Sequence, residues 1–282
     1  MQTPSTARTL DQKKHALIAY LNRYQDLAIA VSGGVDSLLL AYLAHKESTT
    51  NITVFHARSP AVPQTAYTRL TEFAAQYGWA LKCLNANELN DENYTKNPVN
   101  RCFFCKSQLF SHIQAATQTP ICSGTNMDDL SDYRPGLEAA KNHQVLQPYV
   151  EANITKADIY ALATSLNLTP LESLPAQPCL ASRVETGIAI NADDLTLIDT
   201  LEQLVVGVLS AQAVVRCRIT HAGVYIELGN EVHAQSVLAI KSTLIEHCTA
   251  ANKIFAGIRP YQKGAAFLHK DEVRPSTPSV LL

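Results

Sequence analysis

What the sequence lacks narrows its class first. The 282 residues contain no run of about 18 apolar residues, which argues against a transmembrane helix. Charged residues make up only 17% and balance to a net −2, so no surplus of positive charge marks the chain for bulk nucleic acid or an anionic membrane surface. Glycine (11) and proline (13) are too few for a collagen-like or low-complexity chain, and 46% hydrophobic residues exclude intrinsic disorder. The amino-terminal stretch mixes polar with apolar residues and has no uninterrupted apolar core, so it reads as neither signal peptide nor anchor. Seven cysteines, an odd number, are too few for a disulfide scaffold and fit a reducing, cytoplasmic compartment. The expected partner is a small molecule or a protein, and the length predicts about two domains at ~150 residues each.

The first half alternates strand and helix. Leu17, Ile18, Leu21 and Tyr24 recur at helical spacing over residues 11–25, and the apolar run Leu27 to Val31 reads as a first strand. A glycine turn, a helix over 38–46 and a strand over 52–57 complete a βαβ unit with parallel strands. A helix over 64–77, stopped by Gly78, and a strand over 80–84 continue the pattern. Residues 85–101 read as a long irregular loop, followed by a helix over 106–117 and a strand over 120–123. Thr155 and Asp158 mark the start of another helix. The fold class expected is α/β, a parallel sheet with helices on both faces over residues 1–170. A cysteine-bearing linker (171–191), a smaller α+β domain (192–269) and a mobile tail (270–282) follow. Within the second domain the pattern predicts helices over 192–206 and 231–247 and strands over 213–219, 223–228 and 253–258.

Ser32-Gly33-Gly34-Val35-Asp36-Ser37 follows the first strand directly. A glycine turn there offers backbone N–H groups and the positive end of a helix dipole to an anion. The loop lacks the GK[ST] ending of a Walker A motif and is not G-x-G-x-x-G. Its hydroxyls suit phosphate oxygens, and the Asp36 carboxylate suits Mg²⁺. Because sites in open α/β sheets lie at the carboxyl edge of the strands, His56 and the segment Gly124 to Asp129, including Asn126, are expected at the same place.

Cys102 and Cys105 are spaced as a metal or redox pair, flanked by Arg101 and Lys106. Alone, the pair suits a zinc corner or a disulfide switch, but no second CxxC supplies a four-ligand zinc site. Cys179, in the segment Pro178-Cys179-Leu180-Ala181-Ser182-Arg183, is the natural third member. Three cysteines satisfy three irons of a [4Fe–4S] cluster and leave one iron open to carry sulfide. Alternatively, a Cys179 thiolate attacks an activated carboxyl group and forms a thioester. Cys83, Cys122 and Cys217 lie on apolar strands and read as core.

The SGGxDS loop resembles that of the PP-loop ATP pyrophosphatases, the adenine nucleotide alpha hydrolase-like fold. That resemblance implies ATP binding, adenylation of a substrate oxygen and release of pyrophosphate, with Ser32, Gly33, Gly34, Asp36 and Ser37 on the pyrophosphate and Mg²⁺. The wider pattern is similar to the LarE-type pyridinium-3,5-biscarboxylic acid mononucleotide sulfurtransferases. It is carried by Asn97 to Lys106, Gly124 to Asp129, Asp132 to Gly136, Thr155 to Asp158 and Pro178 to Arg183. The resemblance implies an enzyme that activates a nicotinate-derived carboxylate and replaces oxygen by sulfur, in making a nickel-pincer nucleotide cofactor. Some members sacrifice the cysteine at the position of Cys179, which ends as dehydroalanine. Others hold a [4Fe–4S] cluster on three cysteines, and the presence of Cys102, Cys105 and Cys179 favours that version. It also implies a homo-oligomer, a hexamer by family, and sulfide from a donor protein or from solution.

The second domain carries Arg216 and Arg218 on one face of a strand, with Val215, Cys217 and Ile219 on the other. By periodicity alone this is a solvated face with an Arg–Glu pair to Glu227. The resemblance instead places the two guanidiniums at the substrate phosphate or a metal site, with Arg134, Ser182 and Arg183 as further substrate contacts. Glu202, on the preceding helix, reads as solvated and only weakly as a metal ligand. Two rivals remain: a tRNA thiolase with the same loop, disfavoured by the net charge, and a non-catalytic adenine-nucleotide sensor.

Overall fold

The computed structural model describes residues 8–131, 134–209, 213–230 and 235–262. Asp132, Tyr133, residues 231–234 and the expected tail lie outside the described residues. The chain forms two compact units interleaved in sequence. The first is Met1–Arg58, Thr65–Ala86 and Cys105–Ala176; the second is Ser59–Gln64, Asn87–Phe104 and Gln177–Leu282.

In the first unit, α1 (Leu10–Leu21) starts at a capping box in which Thr9 and Gln12 bond each other's backbone N–H. There follow β1 (Asp26–Ala30), α2 (Val35–Glu47), β2 (Asn51–Arg58), α3 (Gln64–Tyr77) and β3 (Ala80–Asn85). Next come α4 (Arg101–Ala116), which belongs to this unit from Cys105 onward, β4 (Ile121–Ser123), α5 (Pro135–Asn142) and α6 (Lys156–Ser165). The strands pair in the order β3-β2-β1-β4, all parallel. Alternation along β1 sends Leu27 and Ile29 into one apolar cluster and Ala28 into a second, so both faces of the sheet are covered. Leu38, Leu39, Leu40 and Leu43 of α2 are fully buried, each contributing about 1.5–3 kcal/mol by its burial. This core fixes where the turn between β1 and α2 lies.

The α/β class is as expected, but two local readings are corrected. Residues 85–101 are not an irregular loop: Glu88–Asn90 forms a 3₁₀ turn and Glu92–Thr95 a short helix. Asp91 caps that helix by accepting the Asn93 N–H at 2.9 Å, so the Asn/Asp richness is capping chemistry rather than disorder. The next helix starts at Arg101 rather than 106, which puts Cys102 on its first turn and Cys105 one turn on.

The second unit contains α7 (Ala192–Val208), β5 (Val215–Thr220), β6 (Gly223–Leu228), α8 (Lys241–Ala250) and β7 (Phe255–Pro260). Its sheet order is β5-β6-β7, antiparallel then parallel. Leu195, Ile198, Leu201 and Val205 of α7 and Val215, Cys217 and Ile219 of β5 are buried, as periodicity predicts. The helix expected over 231–247 is instead two pieces, Gln235–Leu238 and α8. Among the described residues no helix is long and apolar enough to cross a membrane.

The segment read as a linker is partly core. Leu180–Arg183 forms a buried 3₁₀ turn, and Asn97, fully buried at φ 53°, holds the chain beyond it. Asn97 Nδ2 donates to the carbonyls of Glu185 and Ile188, both at 2.9 Å, and the Gly187 N–H donates to the Asn97 carbonyl. Asn tolerates the left-handed region, and no other small side chain supplies both donors. Asn97→Ala is expected to lower stability by about 1–3 kcal/mol in urea unfolding, because it removes two hydrogen bonds to part-buried carbonyls; an unchanged midpoint would contradict this assignment.

Candidate active site

At the carboxyl end of β1 the chain turns through Ser32, Gly33 and Gly34 into α2. Gly34 is the N-cap and supplies no side-chain cap, leaving the first N–H groups of α2 for an external anion. The two serines shape the turn: Ser37 Oγ accepts the Ser32 N–H at 3.1 Å and donates to the Gly34 carbonyl at 3.2 Å. Gly33 sits at φ +86°, and a Cβ there would stand 2.4 Å from the Ala66 carbonyl oxygen. Its own carbonyl accepts from Arg69 at 2.8 Å. Gly124, at the end of β4, approaches so closely that a Cβ would stand 2.9 Å from the Ser37 nitrogen. Both glycines are therefore required by backbone approach and not merely by turn chemistry.

Asp36 is the centre of this site. Lys156 Nζ donates to both its carboxylate oxygens at 2.7 Å, and Asn126 Nδ2 donates to Oδ1 at 3.2 Å. The Tyr149 hydroxyl donates to the Asp36 carbonyl at 3.0 Å, and burial, then the nearby carboxylate, pushes that phenol well above its ordinary range. Asp36 and Lys156 side chains are 28% and 31% exposed, so the pair contributes no more than about 1 kcal/mol to stability. Its consequence is electrostatic: it neutralises the Asp36 carboxylate at the N-terminal end of α2. Lys156 itself is held by the cap of α6, where Thr155 and Asp158 bond reciprocally and Lys13 pairs with Asp158 at 2.6 Å. Around Asn126, its N–H donates to Asp129 at 3.1 Å, and Arg134 pairs with Asp129 at 2.7 Å while half exposed.

His56 lies beneath the loop and is almost fully buried. Its Nδ1 is 2.8 Å from the Val31 carbonyl, which can only accept, so Nδ1 carries the proton and Nε2 has no hydrogen-bond partner. The ring lies against Tyr67, which Arg58 covers. The structure thus gives His56 the job of holding the residue before Ser32.

In the second unit Cys179 is exposed, whereas Leu180, Ala181, Ser182 and Arg183 are buried behind it. Arg183 donates through Nε and Nη2 to the two oxygens of Glu202 at 2.8 and 3.0 Å. Burial alone would lower its pKa, but Glu202 outweighs that and holds it above the ordinary value. Glu202 also accepts the Cys217 N–H at 2.9 Å, so it is neither solvated nor a spare metal ligand. Arg218 is buried too, donating to Glu227 at 2.8 Å and to the Ser182 carbonyl at 2.6 Å; Arg259 shares Glu227. Arg216 is only part-buried, its guanidinium 5.8 Å from the Tyr261 ring centre, and burial followed by the Arg183 charge lowers its pKa. Of the two strand arginines, Arg218 is buried against Glu227, while Arg216 is the less enclosed.

All seven cysteines are thiols. Cys122, Cys217 and Cys248 are buried as core, but Cys83 is exposed on edge strand β3, contrary to its apolar-strand reading. Cys102 and Cys105 are part-buried, one helical turn apart. Among the described residues no three His, Cys, Asp or Glu side chains gather as a metal-holding set.

No family model matches the chain. It is 36% identical over 201 residues to the uncharacterized protein slr1717 of Synechocystis, covering 68% of this chain and 73% of that one. The chain belongs to the slr1717 family. A second member of similar likeness is the uncharacterized protein MJ0830 of Methanocaldococcus jannaschii, 31% identical over 181 residues, 63% of this chain and 68% of that one. More distant, at 27% over 200 residues (69% and 72%), is the pyridinium-3,5-bisthiocarboxylic acid mononucleotide synthase of Lactiplantibacillus plantarum. The slr1717-family fold is α/β of the PP-loop kind, with a separate small mixed sheet.

Lys156 and Tyr149 were missed by sequence reasoning, though a signal existed for the first. A lysine on the opening turn of a helix opposes the helix dipole and calls for an anion beside it. His56 supplies a pH test. Burial, the leading cause, lowers its pKa from 6.5, so the unfolded chain binds the extra proton. Stability should fall as pH drops below about 6.5, and His56→Gln should flatten that slope in urea titrations between pH 7.5 and 5; an identical slope would contradict it.

Proposed function

We propose that this protein is an ATP-dependent sulfur-inserting enzyme of LarE type, acting on a carboxylate of pyridinium-3,5-biscarboxylic acid mononucleotide. The observation that carries the reading is the glycine turn of the first unit, an uncapped helix N-terminus with a single carboxylate, Asp36, already balanced by a lysine. The name of the Lactiplantibacillus plantarum relative supports the substrate class.

In this reading Ser32, Gly33, Gly34 and Ser37 bind the β- and γ-phosphates of ATP through backbone N–H and hydroxyl groups. Asp36 fits Mg²⁺, which takes one or two carboxylates together with substrate phosphates, and the ion would offset charge on the leaving pyrophosphate. Lys156 then turns from Asp36 to the phosphates. A substrate carboxylate oxygen attacks the α-phosphorus, pyrophosphate leaves and an acyl adenylate forms.

The sulfur step is assigned to Cys179, the exposed thiol of the second unit. Its thiolate attacks the acyl carbon and AMP leaves with the C–O electron pair. Loss of the Cα proton of residue 179 then breaks the Cβ–S bond, leaving a thiocarboxylate on the substrate and dehydroalanine in the chain. Arg216 is proposed to meet the substrate phosphate. The [4Fe–4S] cluster expected on Cys102, Cys105 and Cys179 has no gathered ligand set among the described residues, so no step is routed through it.

The test is a pyrophosphate assay with and without the mononucleotide, followed by intact mass. Pyrophosphate release should require the substrate, and Cys179 should lose the mass of one H₂S after a single turnover. Cys179→Ser should retain pyrophosphate release and abolish transfer. ATP binding without turnover would contradict the enzyme and favour a nucleotide sensor; turnover with an intact Cys179 would contradict the sulfur source.

A further inference from the structure

The buried arginines of the second unit have a geometry that substrate binding does not explain. Arg183 is 2% exposed, and its donors all point inward. Two of its nitrogens grip Glu202, while the third, Nη1, donates to the Pro178 carbonyl at 2.6 Å, to Ser182 Oγ at 3.0 Å and, at 3.3 Å, to the Cys179 carbonyl. A second guanidinium, Arg218, takes the Ser182 carbonyl at 2.6 Å from the sheet side and is itself fixed by Glu227. Four acceptors within a five-residue turn are thus met by two buried arginines, each locked by its own glutamate. Glu202 in turn is tied to β5 through the Cys217 N–H. The side chains of the turn left in solvent are Pro178 and Cys179, the one that carries sulfur.

A buried ion pair is a poor way to gain stability, since desolvation offsets most of the attraction and apolar residues of the same volume do as well. What it supplies is fixed direction. A planar fork satisfied on every edge leaves a backbone turn a single arrangement. A lysine in the same place would keep the charge and lose the fork.

We propose that Arg183, held by Glu202, is a positioning residue for the Cys179 thiol, clamping the cysteine-bearing turn from behind rather than binding substrate. Arg218 is the second jaw. This rests on the reading of Cys179 as the reacting sulfur, but the clamp itself can be measured without it. Two amides report on the turn: Leu180 N–H donates to the Ala61 carbonyl at 2.8 Å and Ser182 N–H to the Cys179 carbonyl at 2.9 Å.

The test uses the full chain and the variants Arg183→Lys, which keeps the ion pair with Glu202 but not the fork, and Glu202→Gln, which keeps the acceptor for Cys217. Deuterium uptake is followed over 178–184, with the α2 peptides as an internal reference. Uptake over 178–184 should quicken by at least about tenfold in Arg183→Lys while the α2 peptides keep their rate, the mark of a local opening. The ratio of sulfur transfer to pyrophosphate release should fall by a similar factor. Should one variant fail to fold, the other decides. Unchanged uptake over 178–184 in a folded variant overturns the clamp, as does a parallel loss of transfer and pyrophosphate release, which marks a merely structural role. If the unaltered protein transfers no sulfur, the functional reading falls while the uptake experiment still judges the clamp.

Discussion

The carboxylate of Asp36 is the constraint on which the first unit is organised. It stands at the opening turn of α2, where the helix dipole already favours negative charge, and three separate stretches of chain converge on Asp36. Asn126 arrives from beyond β4, Tyr149 from a short helix, and Lys156 from the first turn of α6. The buried leucines of α2 set the position of the carboxylate, and Gly33 and Gly124 allow neighbouring backbone to close around it. The pair with Lys156 is worth little as stability. Its value lies in having a cation in place where, in the proposed reading, another cation and a triphosphate must enter.

The second unit solves a different problem with similar groups. Its arginines are mostly committed inward: Arg183 to Glu202, Arg218 and Arg259 to Glu227. Among the described residues three guanidiniums meet two carboxylates here, with Arg216 beside them on β5. Desolvation makes such an arrangement costly, so it is to be understood through what it orients and attracts rather than through stability. It holds a turn with one exposed thiol, and Arg216 lies part-buried beside it on the same strand as Arg218.

Much of this was legible in the residues. Period-two and helical patterns located the strands of both sheets to within about two residues, because burial on one or two faces writes itself directly into apolar spacing. The glycine loop was legible because close backbone approach admits no substitute for glycine. Segments failed where polar residues do structural work. The Asn/Asp-rich stretch before Arg101 looked irregular although it caps a helix, and Glu202 looked solvated although it faces a buried arginine from a largely apolar helix. Cys83 erred the other way, since an edge strand leaves exposed what a central strand would bury. Pairings across more than a hundred residues, such as Lys156 with Asp36, leave only indirect traces in spacing; here the trace was a lysine placed against a helix dipole.

The central claim is that the Asp36 turn is a Mg²⁺-dependent ATP site. Calorimetric titration of ATP into the full chain, with Mg²⁺ and then with a chelator, tests it most directly. The account predicts binding that weakens by at least about tenfold when Mg²⁺ is removed and that loses its Mg²⁺ dependence in Asp36→Asn. Equal affinity with and without Mg²⁺, or a dependence that survives Asp36→Asn, would contradict it.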